Sequence, residues 1–262
     1  MAAPIITLTT DLGLDSPYAA SMKGVILSIH TDARLVDITH SVPPQDVRHG
    51  GWVLAEATPR FPPGTIHLAV IDPGVGTERK IVYAEIDSQR YVAPDNGLLG
   101  RLARRTPPTK IIALTRREFW LEPISETFHG RDVMAPVAAR LSMGLDPAKL
   151  GEPLDRLFEL DWPKARVEPQ RIVGQVSWID SFGNLITSIC RDELESIPSG
   201  TAVRVTCCDR STDRLVRTYG EASQGSLVAL IGSGGELELA IVGGNAAREL
   251  GLTVGAEVAV SW

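Results

Sequence analysis

The sequence predicts an α/β fold, in which an N-terminal, mostly parallel sheet flanked by helices is followed by a smaller C-terminal antiparallel β domain. Two observations predict this architecture. In the first half of the chain, short apolar runs alternate with helical patterns, which is typical of a parallel sheet covered by helices. From about residue 169 onward, closely spaced strand patterns are separated by Gly, Ser and Asp turns. We therefore predict an α/β domain over residues 1–165 and a β domain over residues 166–262.

The elements of the first domain follow from local patterns. Strand 4–9 is a β-branched run, and the Pro17 that follows it opens helix 18–30, because proline is favoured in the first turn of a helix. Strand 66–71 is fully apolar after His67, as expected of a strand covered on both faces. The remaining predicted elements are strands 35–39, 81–86, 91–93 and 111–114 and helices 47–57, 98–104 and 131–142.

The second domain is predicted to be a small antiparallel domain of short strands. A segment rich in Pro and charged residues, 157–168, is predicted to link it to the first domain. Its strands are short and closely spaced, which favours an antiparallel arrangement. The predicted strands are 171–179, 184–189, 202–207, 215–219, 227–231, 237–242 and 257–261.

Composition excludes several classes of function. The chain has 262 residues and a net charge of −6, which argues against a nucleic-acid partner because phosphate binding needs clustered Lys and Arg. The N-terminus has neither a basic segment nor a long apolar run, so we expect no membrane association and a cytoplasmic location. Cys190, Cys207 and Cys208 lack the spacing of a metal site, and we expect no metal and no disulfide framework.

Acidic residues end three of the predicted strands. Asp11, Asp72 and Asp95 each follow an apolar run. Ligands of doubly wound sheets bind outside the carboxyl ends of the strands. Any one of these acids alone is adequately explained as a turn residue, but together they predict a binding site at this edge.

Two segments of the first domain carry candidate catalytic groups. Asp72 opens the run Asp72-Pro73-Gly74-Val75-Gly76-Thr77-Glu78-Arg79, in which the glycines force a tight loop and Arg79 can fold back toward Asp72. That ion pair either serves catalysis or merely braces the loop. His129 and Gly130 stand just before a predicted helix, where free N–H groups attract electron-rich atoms. A structural histidine is the alternative interpretation.

The second domain carries two further candidate clusters. In Ile179-Asp180-Ser181-Phe182-Gly183-Asn184, the amide of Asn184 can read an adenine edge and Phe182 can stack on the ring. An ordinary β-turn explains the same residues. The other cluster is a pair of glycine-rich turns, 233–236 and 243–246.

Together these segments resemble the S-adenosyl-L-methionine hydroxide adenosyltransferase family, the water-using relatives of fluorinating and chlorinating enzymes. The resemblance runs over nearly the whole chain, with the family's motifs in order and at suitable separations. The motifs are Thr9-Thr10-Asp11-Leu12-Gly13, Asp37-Ile38-Thr39-His40, Asp72-Pro73-Gly74-Val75-Gly76, Ala93-Pro94-Asp95-Asn96-Gly97, Phe182-Gly183-Asn184 and Gly244-Asn245-Ala246. The family fold is an α/β domain followed by a β domain.

The resemblance implies roles for particular residues. The catalytic triad of the hydrolytic branch corresponds to Asp72, Arg79 and His129, whereas tyrosine is typical of the halogenating branches at the position of Asp72. Fluorinating enzymes carry an arginine where this chain has Gly234. The substrate-binding residues implied are Asp11 for the ribose hydroxyls, Phe182, Asn184, Asn245 and Ala246 for adenine, Asp180 and Ser233 for the methionine end, and Gly130 and Glu236 as neighbours.

The implied reaction is hydrolysis of S-adenosyl-L-methionine at C5′, giving adenosine and L-methionine. No cofactor is expected, since S-adenosyl-L-methionine is itself the substrate. Arg79 would stabilise developing hydroxide, while either His129 or Asp72 would accept the proton. The resemblance also implies a homotrimer with substrate sites between subunits.

Three alternative functions stay open at this point. A halide-dependent 5′-halo-5′-deoxyadenosine synthase is disfavoured by Asp72 and His129. A calcium-dependent nucleoside N-ribohydrolase is disfavoured because loop 6–15 lacks a dense set of acids. A non-catalytic adenosine- or S-adenosylmethionine-binding protein would not need an Asp–Arg–His set.

Overall fold

The computed structural model describes residues 3–262 and contains two compact units, Met1–Asp161 and Trp162–Trp262. The division therefore lies a few residues before the boundary expected after residue 165. Within residues 3–262, no helix combines the length and the hydropathy needed to span a bilayer.

The first unit alternates strands and helices as the apolar patterns predict. A π-helical turn, Gly130–Met134, precedes the last of its helices, and short 3-10 helices occupy Thr58–Arg60, Arg117–Phe119 and Pro147–Leu150. Its elements are β1 (Ile5–Thr10), α1 (Tyr18–Ile29), β2 (Arg34–Thr39), α2 (Val47–Ala57), β3 (Ile66–Val70), β4 (Ile81–Ile86), β5 (Gln89–Pro94), α3 (Gly100–Arg105), β6 (Lys110–Leu114), α4 (Ala135–Ser142) and β7 (Gly151–Pro153).

The sheet of this unit is mixed, so the prediction of a mostly parallel sheet was wrong in part. Its strand order is β2-β1-β3-β5-β4-β6-β7. The pairs β1–β2, β1–β3 and β3–β5 are parallel, whereas β4 runs antiparallel to both β5 and β6. Asp87 and Ser88, with φ of 48° and 64°, form a two-residue hairpin between β4 and β5. Positive φ at both turn positions is the geometry of a type I′ hairpin, which forces the two strands to be antiparallel.

Helices cover both faces of this sheet. Met22 and Ile26 of α1 pack with Val137 and Leu141 of α4 in one hydrophobic cluster. Residues of α2 and α3, including Leu54, form a second cluster on the other face. All five residues of β3 are buried, as predicted for a strand covered on both faces. The two cores hold the strand ends of the first unit in fixed positions.

The second unit is an antiparallel β structure, as predicted. Its strand order is β12-β11-β15-β9-β10-β14-β13, and β8 pairs with β9 outside this path. Every ladder between these strands is antiparallel. The elements are β8 (Arg166–Glu168), β9 (Arg171–Ile179), β10 (Leu185–Cys190), α5 (Arg191–Leu194), β11 (Arg204–Cys207), β12 (Arg210–Thr212), β13 (Leu227–Ile231), β14 (Glu236–Ile241), α6 (Ala246–Leu250) and β15 (Glu257–Ser261).

One predicted strand of this unit, 215–219, was wrong. Only Leu215 forms an isolated bridge, to Ala229. Backbone hydrogen bonds join Val216 and Arg214 to Ala229 of β13, and a 3-10 helix begins at Tyr219, so the extended pairing ends after a single bridge.

Candidate active site

The strand order gathers the predicted acids at one edge of the first unit's sheet. The parallel strands β1, β3 and β5 lie side by side, so their carboxyl ends share this edge. Asp11, Asp72 and Asp95 follow these strands within two residues. Because β4 and β6 alternate in direction, the start of β4 and the end of β6 lie at the same edge.

Arg79 folds back onto Asp72. Its Nε lies 2.9 Å from Oδ1 and 3.0 Å from Oδ2 of the carboxylate, and Nη2 donates a further hydrogen bond to Oδ2. The side chains of Arg79 and Asp72 are only 10% and 5% exposed. Such a charge-assisted, fork-shaped contact fixes the orientation of both groups.

Gly76 allows the Asp72 loop to approach the segment that carries the histidine. Its φ is 78°, a conformation that favours glycine, and a Cβ there would lie 2.6 Å from the carbonyl oxygen of Glu126. The loop 72–79 therefore packs directly on the segment 125–129. This close approach explains how residues far apart in the sequence meet.

His129 completes a contiguous Asp–Arg–His set. Nη2 of Arg79 lies 3.0 Å from Nδ1 of His129. Because a guanidinium can only donate, Nδ1 must accept, and the proton of the neutral imidazole is then on Nε2. Burial and the adjacent charge of Arg79 lower the pKa of His129 below 6.5, although Asp72 and Asp132 act in the opposite direction. Both observations favour a neutral imidazole whose Nε2–H is a donor.

The helix that follows His129 begins differently from the prediction. A helix was expected over 131–142, but Gly130–Met134 form a π-helical turn in which the N–H of Ala135 donates to the carbonyl of Gly130. Pro136 has no N–H and cannot donate the hydrogen bond that a regular α-helix would have at residue 136, and the wider π-helical turn just before it accommodates this loss. A Cβ on Gly130 would lie 3.0 Å from Val70 Cγ1, so glycine lets this turn pack tightly on β3.

Asp132 anchors the His129 segment, a role that sequence reasoning missed. Its carboxylate is 2% exposed and accepts from the Ser125 N–H at 2.8 Å and from Arg131 Nε at 2.6 Å. Burial alone would raise the pKa of Asp132, but the hydrogen bonds from Arg131 and Ser125 outweigh it and lower the pKa. The same Arg131 lies 5.0 Å above the ring of Phe128. The segment on both sides of His129 is thus held in place.

Asn96 supports the segment that leads to Asp72, a role that the sequence analysis did not predict. Its Nδ2 donates to the carbonyl of Ile71 at 2.9 Å, immediately before Asp72. The neighbouring acid, Asp95, accepts from the N–H of Phe158 at 2.7 Å. Burial raises the pKa of Asp95, against the effect of that hydrogen bond and of Lys80. Asn96 belongs to the motif Ala93-Pro94-Asp95-Asn96-Gly97, and its place in this motif was the signal that could have assigned it a role.

Asp11 is partly exposed at the end of β1. Its Oδ2 accepts the N–H of Gln45 at 2.7 Å, and Gln45 adopts a φ of 65°. The preceding residue, Thr10, is hydrogen-bonded through Oγ1 to Nδ1 of the buried His40 at 2.9 Å. Oδ1 of Asp11 has no hydrogen bond in the described structure that competes with a ligand hydroxyl.

In the second unit, Asp180 organises the turn that carries Phe182 and Asn184. Its Oδ1 accepts from the N–H groups of Phe182 and Asn184 at 2.9 Å and 2.8 Å, and its Oδ2 accepts from Asn184 Nδ2 at 3.0 Å. The turn roles considered from the sequence are therefore present. Phe182 is 74% exposed, whereas Asn184 is 7% exposed. The aromatic ring is left available for stacking.

The turn at 180–184 packs on the start of α6. The N–H of Ala247 donates to the carbonyl of Gly183 at 2.9 Å. Gly183 has a φ of 86°, and a Cβ there would lie 2.1 Å from Cγ of Asn245. Asn245 caps α6 by accepting the N–H of Arg248 at 2.8 Å, and Ala246 is fully buried. The two segments predicted to hold adenine are thus brought together.

Of the two residues predicted for the methionine end, Asp180 lies in the turn between β9 and β10, and Ser233 lies in the turn between β13 and β14, close to the predicted neighbour Glu236. Ser233 is exposed in this turn, and Glu236 is 5% exposed in β14. Two residues farther on, Glu238 accepts a short hydrogen bond from the hydroxyl of Tyr219. Burial, and then the charge of Asp180, raise the pKa of Glu238 despite that bond. No local sequence pattern predicts the Tyr219–Glu238 pair, because the two residues belong to separate elements.

Metal ions are held in proteins mainly by clusters of His, Cys, Asp and Glu side chains. In residues 3–262, no cluster of three or more such side chains is arranged to hold a metal ion. Within the same residues, Cys190, Cys207 and Cys208 form no disulfide, and Cys208 is exposed.

Comparison with known proteins places both units in one family. The profile of the SAM hydroxide adenosyltransferase N-terminal domain matches residues 6–151, and that of the C-terminal domain matches residues 174–259. A protein from Salinispora tropica named (R)-S-adenosyl-L-methionine hydrolase is 38% identical, with 98% of both chains covered. A fluorinase from Nocardia brasiliensis is 30% identical, covering 98% of this chain and 96% of the fluorinase.

The fold has a close counterpart among solved structures. A conserved protein from Thermotoga maritima superposes with a TM-score of 0.91 at 37% identity, covering 98% of this chain and 100% of the other. The profile matches and the full-length relatives agree with the motifs read from the sequence. This chain belongs to the SAM hydroxide adenosyltransferase family.

Proposed function

We propose that this protein is an enzyme that hydrolyses S-adenosyl-L-methionine at C5′, giving adenosine and L-methionine. The observation that carries the proposal is the contact of Arg79 with both Asp72 and His129. The family membership and the hydrolase named from Salinispora tropica support it. A protein that only bound adenosine would have no use for this partly buried Asp–Arg–His set.

The reaction makes modest demands on the protein. The water oxygen forms a bond to C5′, the C5′–S bond breaks, and its electron pair stays on sulfur as a neutral thioether. One proton of the water is released. A neutral leaving group needs no Lewis acid and no proton donor, so we expect neither metal nor cofactor to be required. The barrier lies in activating water, whose pKa of about 15.7 makes it a poor nucleophile.

Asp72, and not His129, is the base of the proposed reaction, and the hydrogen bonding of His129 supports this assignment. Nδ1 of neutral His129 accepts from Arg79, and Nε2 carries the proton, so the imidazole has no free lone pair for a water proton. Each carboxylate oxygen of Asp72 retains acceptor capacity beyond its bonds to Arg79. Asp72 is therefore the proton acceptor, while Arg79 and His129 orient the water and stabilise the charge that develops on its oxygen.

The remaining predicted residues are assigned to substrate recognition. Asp11, with one carboxylate oxygen unoccupied, binds the ribose hydroxyls. Phe182 and Asn184 bind adenine together with the backbone at Asn245 and Ala246, which packs on the same turn. Asp180, Ser233 and Glu236 serve the methionine end, and Gly130 provides a close approach beside His129.

The proposal extends to assembly and cellular location. We expect a cytoplasmic homotrimer in which substrate sites are completed between subunits. Neither nucleic acid nor a membrane is expected as a partner.

The test is product identification by chromatography. Purified protein is incubated with the (S) and (R) sulfonium epimers separately, because the relative is named for the (R) form. Each reaction is run with and without chloride or fluoride. Adenosine and methionine in equal amounts, without dependence on halide, are expected. A halogenated adenosine would instead show the activity suggested by the fluorinase relative, and no turnover of either epimer would refute the proposed function.

The control enzyme is Asp72→Asn. It retains the shape of the side chain but removes the charge and the proton acceptor. We expect this variant to bind adenosine and to form at least about 100-fold less product per unit time, since a general base contributes about 10²–10⁴-fold.

A further inference from the structure

A cavity of about 330 Å³ lies beside the triad in the first unit. Arg79 and His129 form part of its wall. The rest includes Leu114 and Thr115 at the end of β6, and Ile124 in the segment leading to His129. Its volume is much larger than the roughly 30 Å³ that one water molecule occupies in the liquid. The roles proposed above for substrate-binding residues do not use this space.

The cavity lies on one particular side of the triad. In the sheet, β1 and β3 carry Asp11 and Asp72, and β5, β4 and β6 follow in that order. The strand residues that line the cavity come from the start of β4 and the end of β6. The cavity is therefore on the β4–β6 side of the triad, whereas Asp11 is on the β1 side.

This placement matters for a displacement reaction. In an in-line displacement, the water oxygen attacks C5′ from the side opposite the departing sulfur, so the water must approach the bound substrate from the side away from its methionine group. Under the proposed function, the ribose is held at Asp11 on the β1 side. The side that remains for the entry of water is the one on which Arg79 and His129 line the cavity.

The walls are mostly apolar, with polar groups at a few positions. Leu114, Ile81 and Ile124 are among the apolar residues, while Thr115, Arg117 and Lys80 offer hydrogen-bonding groups beside Arg79 and His129. A cavity holds ordered water when it is roomy and supplies a few polar partners for each molecule. The Arg79 guanidinium is shared between this cavity and Asp72, so a water bound to Arg79 from the cavity is close to the proton acceptor.

We propose that this cavity is the water-entry chamber of the enzyme, from which the nucleophile reaches Arg79 and His129 by a route separate from that of the substrate. The inference rests on the proposed hydrolysis. The ligand of the chamber is water, and the substrate stays outside it.

The experiment fills the chamber from two walls. Ile124→Trp and Thr115→Trp each add an indole at the cavity, and Thr109→Trp adds one at an exposed site just before the other end of β6 as a matched control. We expect kcat of both filling variants to fall on the order of 10- to 100-fold, because misplacing a reacting group costs up to about 10² in rate. Adenosine affinity in calorimetry should stay at the parental value, and the control should match the parent in both measurements.

Two outcomes would overturn the chamber. The first outcome is a filling variant that has the parental melting temperature and a kcat within a factor of two of the parent, which corresponds to about 0.4 kcal/mol in the activation barrier. In that case the cavity does not supply the nucleophile. If adenosine or substrate binding weakens in step with kcat, the cavity holds substrate instead. Should one filling variant fail to fold, the other decides the question. A parent enzyme that forms no adenosine refutes the proposed function itself, whereas an active parent with unaffected filling variants refutes only the chamber.

Discussion

Replacing Arg79 by lysine tests the geometry of the triad most directly. Arg79 contacts both oxygens of Asp72 and Nδ1 of His129 through two different nitrogens. The single nitrogen of a lysine cannot reproduce a planar fork, so at least one charge-assisted hydrogen bond is lost. A hydrogen bond to a charged group contributes about 1.5–3 kcal/mol. Since each 1.36 kcal/mol is tenfold in rate, kcat should fall roughly 10- to 150-fold if the bond acts on the transition state.

The assay measures adenosine release at saturating substrate, adenosine affinity by calorimetry and thermal unfolding on the same preparations. Arg204→Lys is the matched control, because Arg204 makes an equally bidentate contact with Asp213, at 2.7 Å and 2.8 Å, but on the exposed surface. We expect the control to retain full kcat. Two results would refute the catalytic interpretation. One is that Arg79→Lys retains the parental kcat. The other is that it loses stability and adenosine affinity while kcat per folded molecule is unchanged, which would mean that Arg79 only braces its loop.

Four further outcomes are expected. Activity should survive exhaustive EDTA treatment, because the leaving group is a neutral thioether; loss that is restored by a divalent cation would contradict the mechanism. Light scattering should show a trimer at assay concentration, and a fully active monomer would exclude sites shared between subunits. Asn184→Ala should weaken adenosine binding by about 1–3 kcal/mol in calorimetry, while an unchanged affinity would leave the residue with its turn role alone. Burial lowers the pKa of His67 from 6.5 to about 4, so between these pH values the unfolded chain binds more protons than the folded chain. The free energy of unfolding should therefore fall by about 3 kcal/mol as the pH drops through this window. Urea unfolding should show this slope in the parent and less of it in His67→Gln, and equal slopes would refute the assignment.

Much of the first unit could be predicted because local signals and tertiary structure agree there. The apolar runs of β1 and β3 are buried on both faces, and their period and length predict strands without knowledge of their partners. The Asp72–Arg79 contact was foreseeable for a similar reason, since the glycines between the two residues form a tight loop over only seven positions. Short-range geometry is encoded in short stretches of sequence.

The remaining features depend on contacts that no local pattern specifies. The direction of β4 is set by positive φ at Asp87 and Ser88, which is not the usual Asn-Gly signature of such a turn. The contact between Arg79 and His129 spans 50 positions, and the bond from Asn96 to the Ile71 carbonyl spans 25. These partners are chosen by the packing of whole strands, so the protonation of His129 and the support of Asp72 emerged only from the assembled fold.

The placement of the reactive groups has a consequence for how such enzymes diversify. Asp72, Arg79 and His129 sit in loops beyond strands whose side chains fill two hydrophobic cores, so a substitution at Asp72 need not disturb those cores. The nucleophile can then be exchanged over evolutionary time at little cost in folding, and a hydrolase and a fluorinase can align with one chain over 98% of its length. Libraries that vary the reactive positions while conserving the strands and the tightly packed Gly76 and Gly130 should yield folded proteins in high proportion, which makes this scaffold a practical starting point for selecting new adenosyl-transfer reactions.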